Sequence, residues 1–176
     1  MINKDELLFV VDENNNPIEP LPRGIVHSKG FWHRSSHIWV VNSKKQILCQ
    51  KRSKLKDKFP GFWEPNFGGN LDAGEGYLAG AVREGNEELN LKITKNALKF
   101  FKVFKSEVAR EFVSIYLFKW DRDIEKIDFE KDEIDKLKWV PFEKLKEILL
   151  VKKEKSWTNL GYNKIMLTWI EKNFIK

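Results

Sequence analysis

The chain has 176 residues, 41% hydrophobic and 33% charged, the make-up of a globular protein long enough to bury one substantial core. Its net charge of +6 favours anionic partners, small phosphorylated molecules as readily as nucleic acid, so charge alone selects neither. The single cysteine, Cys49, excludes an internal disulfide and fits a reducing cytoplasm. No apolar run approaches the roughly 18 residues of a membrane span, and the N-terminal Met-Ile-Asn-Lys-Asp-Glu lacks a signal-peptide core. One cytoplasmic domain over residues 1–176 is expected.

In chain order, Leu7 to Val11 reads as a strand, and Asp12-Glu-Asn-Asn-Asn-Pro17 as a turn before a short return strand. Pro20 and Pro22 carry the chain away. His37 to Val41 and Gln46 to Lys51, joined by Asn42-Ser-Lys-Lys45, read as a hairpin. Leu55 to Asn66, with Pro60, Gly61 and Pro65, is a loop. Gly76 to Leu89 has helical periodicity, its inner face built from Leu78, Ala81, Val82 and Leu89. Ala97 to Lys105 and Phe112 to Trp120 read as strands, the second apolar enough to be central. Trp139-Val140 is a short strand and Phe142 to Leu150 a helix. A closing helix runs from Tyr162 to Phe174, with Ile165, Leu167, Trp169, Ile170 and Phe174 expected in the core.

The most informative stretch is Gly69 to Leu91, which carries five acidic side chains and one arginine. Glu84, Glu87 and Glu88 stand at i, i+3 and i+4 and share one helical face. Three like charges there cost an isolated helix a few tenths of a kcal/mol per pair. The pattern makes sense around a cation, because carboxylate oxygens are the ligands of Mg²⁺ and Mn²⁺. A solvated acidic face is the plain alternative. Gly69, Glu75, Arg83, Glu84, Glu87, Glu88 and Leu91 match the Nudix box in register, and the segment resembles that signature closely. Gly85 stands where an apolar residue is usual, and Asn90 where glycine is usual. Asn is the next-best residue for a left-handed C-cap. Gly85 costs about 1 kcal/mol against Ala but permits close packing.

The resemblance implies an α/β fold, a Nudix-type α/β/α sandwich around a central mixed β-sheet. It also implies a metal-dependent hydrolase of a phosphoanhydride in a nucleoside diphosphate-linked or related small substrate. By the same resemblance Glu84, Glu87 and Glu88, with the Gly68 carbonyl, hold Mg²⁺ or Mn²⁺. Glu87, Glu88 and Glu111 are the candidate catalytic groups, and Gly69, Glu75 and Arg83 support the site. A phosphorylated small molecule is the expected partner, with no membrane and no nucleic acid required. Arg52 is the candidate phosphate clamp, because a guanidinium grips two oxygens at once. Lys54, Lys56 and Lys58 are read as solvated. Phe62 and Trp63 are candidates to stack on a base, with core or loop packing as the alternative for an aromatic pair after Pro-Gly.

His33 to Asn42, Gln50 to Ser53 and Phe59 to Trp63 are similar to the subgroup that includes type I isopentenyl-diphosphate isomerase. That enzyme has a cysteine immediately before the first box glycine and a histidine ligand just after it. Here the positions are Gly68 and Asn70. A Glu-x-Glu pair becomes Ala109-Arg110-Glu111, while His27 and His33 resemble two other histidine ligands, and His37 stays open. Moving a proton across an alkene needs an acid on one face and a base on the other, and Cys49 offers no clear replacement. Isomerase activity and a noncatalytic binding module on the same fold are therefore the alternatives. The binding module is disfavoured by the complete set of box carboxylates.

Overall fold

The computed structural model describes residues 4–175; Met1 to Asn3 and Lys176 lie outside the described residues. Strand alternation sets the layers. β3 (His33–Val41) sends Ile38 and Val40 to one face of the sheet and Trp39 and Val41 to the other. β4 (Gln46–Arg52) divides in the same way, Leu48 to the first face and Ile47 with Cys49 to the second. β8 (Glu111–Lys119) puts Tyr116 and Phe118 on the first and Val113, Ile115 and Leu117 on the second. The sheet is thus buried on both sides, as a sandwich requires. Fully buried side chains such as Trp39, Leu48 and Ile115 each contribute about 1.5–3 kcal/mol of burial.

The first face is covered by α2 (Tyr77–Leu89) through Ala81 and Leu89. The second is covered by α3 (Phe142–Lys146) and α4 (Asn163–Ile170), which contribute Phe142, Leu145, Met166, Leu167 and Ile170. Both C-terminal helices run on into wider π-type turns. Among the described residues the main sheet has seven strands, the others being β5 (Trp63–Glu64), β6 (Phe67–Asn70), β7 (Leu98–Ser106) and β9 (Ile134–Pro141). β8 is central: it pairs parallel with β3, His33 opposite Glu111, and antiparallel with β7. A two-stranded sheet, β1 (Leu7–Leu8) with β2 (Leu21–Pro22), lies beside it. This is a mixed sheet flanked by helices, an α/β fold.

Four expectations change. The hairpin of β3 and β4 closes only at Val41 and Ile47, because β6 takes the pairing edge of β3 from Ser35 to Ile38. The segment after Pro22 forms α1 (Arg23–Lys29), capped by Gly30 at φ +68. Ile165, expected in the core, is exposed, while Met166 is buried. Val82 is only partly buried; the inner face of α2 is instead Gly80, Ala81, Gly85, Glu88 and Leu89. Gly85 explains itself there. A Cβ at this position would lie 2.7 Å from Ile38 Cδ1 and 2.8 Å from Ile93 Cδ1, so the helix sits closer to the sheet than a side chain would allow. Asn90 adopts φ 49 at the C-cap, and its N–H donates to the Asn86 carbonyl.

Candidate functional site

A cleft of about 610 Å³ opens where α2, β6, the start of β8 and the loop after β4 meet. The box residues form one wall. Arg83 donates through Nε and Nη2 to the two oxygens of Glu75, at 3.0 and 2.8 Å. Its Nη1 reaches Glu84 at 3.0 Å and Glu87 at 3.1 Å, and Nη2 also meets the Asn70 carbonyl at 3.1 Å. One guanidinium therefore ties the loop before α2, the helix and the end of β6 together.

Glu84 and Glu88 converge on the two glycines of β6. The Gly68 N–H donates to Glu88 at 2.9 Å. A Cβ on Gly69 would fall 2.7 Å from Glu84 Oε1, so only glycine leaves that carboxylate its place. Gly68 itself has φ +136, and a Cβ there would strike the Ser36 carbonyl at 2.0 Å. Burial pushes the Glu84 carboxyl up to about 7, against the pull of Arg83. Glu88 rises to about 8 through burial and then the neighbouring Glu84. Buried carboxylates with too little positive charge around them are the setting that a hard divalent cation relieves. The donor set fits such an ion. Among the described residues no three His, Cys, Asp or Glu side chains close around a single point as a cage. Glu84 and Glu87 are instead drawn to Arg83, and Glu87, with 59% of its side chain exposed, has room to turn.

Opposite stands a second polar group. The His33 Nδ1 donates to the Phe31 carbonyl at 2.9 Å, leaving Nε2 facing Glu111 Oε1 at 3.4 Å. Ser35 Oγ lies 3.4 Å from the other oxygen of Glu111, and Lys58 Nζ 3.7 Å from the first. Burial drives the Glu111 carboxyl up, but His33 and Lys58 outweigh it and hold it at about 2. It is ionised at neutral pH, as a base must be, yet weakly basic. The rings of His27 and His33 are 5.2 Å apart, and Asn70 Nδ2 is 3.5 Å from His27 Nε2. Burial, with Lys58 next, depresses His27 to about 4. His37 hydrogen-bonds the Tyr162 hydroxyl at 2.6 Å, and burial lowers its pKa.

The two candidate substrate-binding side chains sit in different surroundings. Arg52 lines the cleft, but its guanidinium is already committed: Nη1 to the buried Glu64 at 2.7 Å and Nε to the Lys58 carbonyl at 3.0 Å. It braces the loop through these two bonds, in which Nη2 takes no part. Trp63 points to the far face of the sheet, stacked on Trp157 at 5.9 Å with Lys138 Nζ 3.6 Å from its ring centre. The lysines change too. Lys56 is largely buried and paired with Glu133, and Lys58 faces Glu111; Lys54 remains exposed. Glu64, Glu130, Glu133 and Phe59 also line the cleft. Local sequence pattern does not mark them, because they arrive from separate loops and strands.

The family model described as the NUDIX domain matches residues 32–160. Nudix hydrolase 3 of Arabidopsis thaliana is 36% identical over 139 residues, covering 73% of this chain but 18% of that protein. A Nudix hydrolase of Clostridium acetobutylicum described as uncharacterised is 32% identical over 155 residues, 83% of this chain and 75% of that one. A protein named isopentenyl-diphosphate Delta-isomerase 2 from Photorhabdus laumondii is 30% identical over 149 residues, 82% of each. Among solved structures, a Deinococcus radiodurans protein superposes with a TM-score of 0.71 at 22% identity, covering 93% of this chain and 98% of its own. That likeness concerns the fold.

Proposed function

This chain belongs to the Nudix hydrolase family, and we propose that it is a cytoplasmic, metal-dependent pyrophosphohydrolase of a nucleoside diphosphate-linked or related small substrate. One observation carries this reading. The box carboxylates and a basic loop face each other across a single cleft, acidic groups for cations on one side and Lys56 with Lys58 on the other. Cleaving a phosphoanhydride demands charge neutralisation, an in-line water and a stabilised leaving phosphate. Glu84 and Glu88, with Glu87 and the Gly68 carbonyl, would hold Mg²⁺ or Mn²⁺. Bound there, such an ion supplies charge neutralisation for the phosphoryl oxygens and acidifies water. Arg83 keeps the glutamates aimed, and Glu75 keeps Arg83 aimed. Lys58 draws phosphate oxygens toward the acidic wall. Glu111, held ionised by His33 and Lys58, faces the same cleft and is placed to orient a water or to accept its proton.

A second reading has its own support in the isomerase-named relative and in the grouping of His27, His33 and Glu111. Gly68 and Asn70 weigh against it, since neither side chain supplies an acid or base for an allylic proton transfer. The test is a panel of nucleoside diphosphate-linked compounds and isopentenyl diphosphate, each incubated with Mg²⁺ and with excess chelator. Metal-dependent phosphoanhydride cleavage is expected. Equal turnover in chelator overturns the metal role, and conversion of isopentenyl to dimethylallyl diphosphate replaces the hydrolase by the isomerase.

A further inference from the structure

Phe59 occupies the lip of the cleft with a ring that is half exposed, tilted 59° against Phe62 at 5.7 Å. Its backbone is at φ +52, a conformation that bulky residues avoid and that the residue before a proline avoids as well. The surroundings fix it. Pro60 and Gly61, the latter at φ +74, fill the middle of a turn closed by the Phe62 N–H on the Phe59 carbonyl at 3.2 Å, the arrangement of a type II turn. Arg52 clamps both flanks: its Nε donates to the Lys58 carbonyl, and its own carbonyl accepts from the Gly61 N–H at 3.1 Å. Glycine would suit this backbone better, and the ring packs no core. A large exposed ring held in a strained conformation beside a charged cleft points to use.

We propose that Phe59 is the stacking platform for the nucleobase of the substrate. This rests on the hydrolase reading above and names the part of the substrate that the phosphate-binding groups leave unrecognised. Lys58, the adjacent residue, faces Glu111 inside the cleft, so an anion drawn to that ammonium brings its attached group to the Phe59 ring. The cleft lining is otherwise polar; Leu160 and Ala109 are its other apolar side chains. A prenyl tail finds no apolar wall there. A flat group that stacks on one ring and keeps its polar edges in water does.

Two probes separate the parts: α,β-methylene-ADP, and methylenediphosphonate, which has the diphosphonate without the nucleoside. Binding of each is measured by calorimetry with Mg²⁺ in the parent, Phe59→Gly and Phe59→Trp proteins. Stacking on an aromatic side chain is worth about 1–3 kcal/mol per base, or roughly 5- to 150-fold in affinity. The parent is expected to prefer the nucleoside probe by a factor in that range, Phe59→Trp to keep the preference, and Phe59→Gly to reduce it to within about twofold. Phe59→Gly should also melt no lower than the parent, because it relieves the backbone. Equal binding of both probes by the parent, or an undiminished preference in Phe59→Gly, overturns the platform and leaves diphosphate hydrolysis standing. Binding of neither probe overturns the hydrolase reading itself.

Discussion

Arg83 and Glu75 meet through two parallel hydrogen bonds, Nε to Oε1 and Nη2 to Oε2, and the remaining Nη1 is shared between Glu84 and Glu87. The fork matters more than the charge. Arg83→Lys keeps the charge but cannot span these acceptors. We expect a loss of kcat/KM of about 10- to 100-fold and of about 1–3 kcal/mol in stability. Steady-state kinetics and denaturant melts of Arg83→Lys check this; near-parental turnover would show that the glutamates are aimed without it.

The raised carboxyls predict an unusual pH dependence in the metal-free protein. Glu84 and Glu88 titrate near 7 and 8 when folded, but near 4.3 when unfolded. Between these values the folded state binds more protons, so stability falls as pH rises. His27, depressed to about 4, acts in the opposite direction only below about pH 6.5. From pH 6.5 to 8 the melting temperature should therefore drop without metal, and Mg²⁺ should flatten the slope. Glu88→Gln should flatten it too, without lowering the metal-free melting temperature at pH 8, while collapsing hydrolysis. A metal-free melting curve that rises over this window contradicts the assignment.

Gly85→Ala sets two terms against each other. Ala gains about 1 kcal/mol of helix propensity, but its methyl overlaps Ile38 Cδ1 and Ile93 Cδ1, and overpacking costs about 1–3 kcal/mol. Net destabilisation of about 0–2 kcal/mol is expected. Adding Ile38→Val or Ile93→Val, which deletes one of the offending methyls, should return part of it. A single substitution more stable than the parent would mean that the helix shifts freely.

Arg52→Ala should act through the loop and Glu64. Removing the guanidinium strands a buried carboxylate, at a cost of about 3–5 kcal/mol. Glu64→Gln in the same chain should recover a good part, a coupling that a pure phosphate clamp would not produce. Measured additivity of the two substitutions would return Arg52 to the role of a free substrate ligand.

Much of this was legible in the sequence because it was local. The helical spacing of Glu84, Glu87 and Glu88 put them on one face, and a nearly continuous apolar run revealed the Phe112 to Trp120 strand as one buried on both faces. What escaped was set by distant partners. The hairpin of β3 and β4 forms at its turn but extends no further, because nothing in either strand announces that β6 will take the edge of β3. Lys56 and Arg52 looked like free cations because Glu133 and Glu64 come from other segments. Trp63 was a candidate for stacking on a base, yet its face is set by the β4–β5 pairing and the Trp157 behind it. α1 was missed because the prolines before it read as a break, although proline also opens helices.

The parallel register of β3 on β8 has a kinetic corollary. Residues 33 and 111 become neighbours only when two strands far apart in the chain align over nine consecutive pairs. Such pairing pays its loop-closure entropy before any contact rewards it, and it forms slowly compared with hairpins and helices. The acidic helix packs on β3 and β6, both of which precede it in the chain, while the opposite wall of the cleft waits for β8. Order of assembly thus separates the two halves of the site in time: a nascent chain can carry its cation ligands well before it has the rest of the pocket.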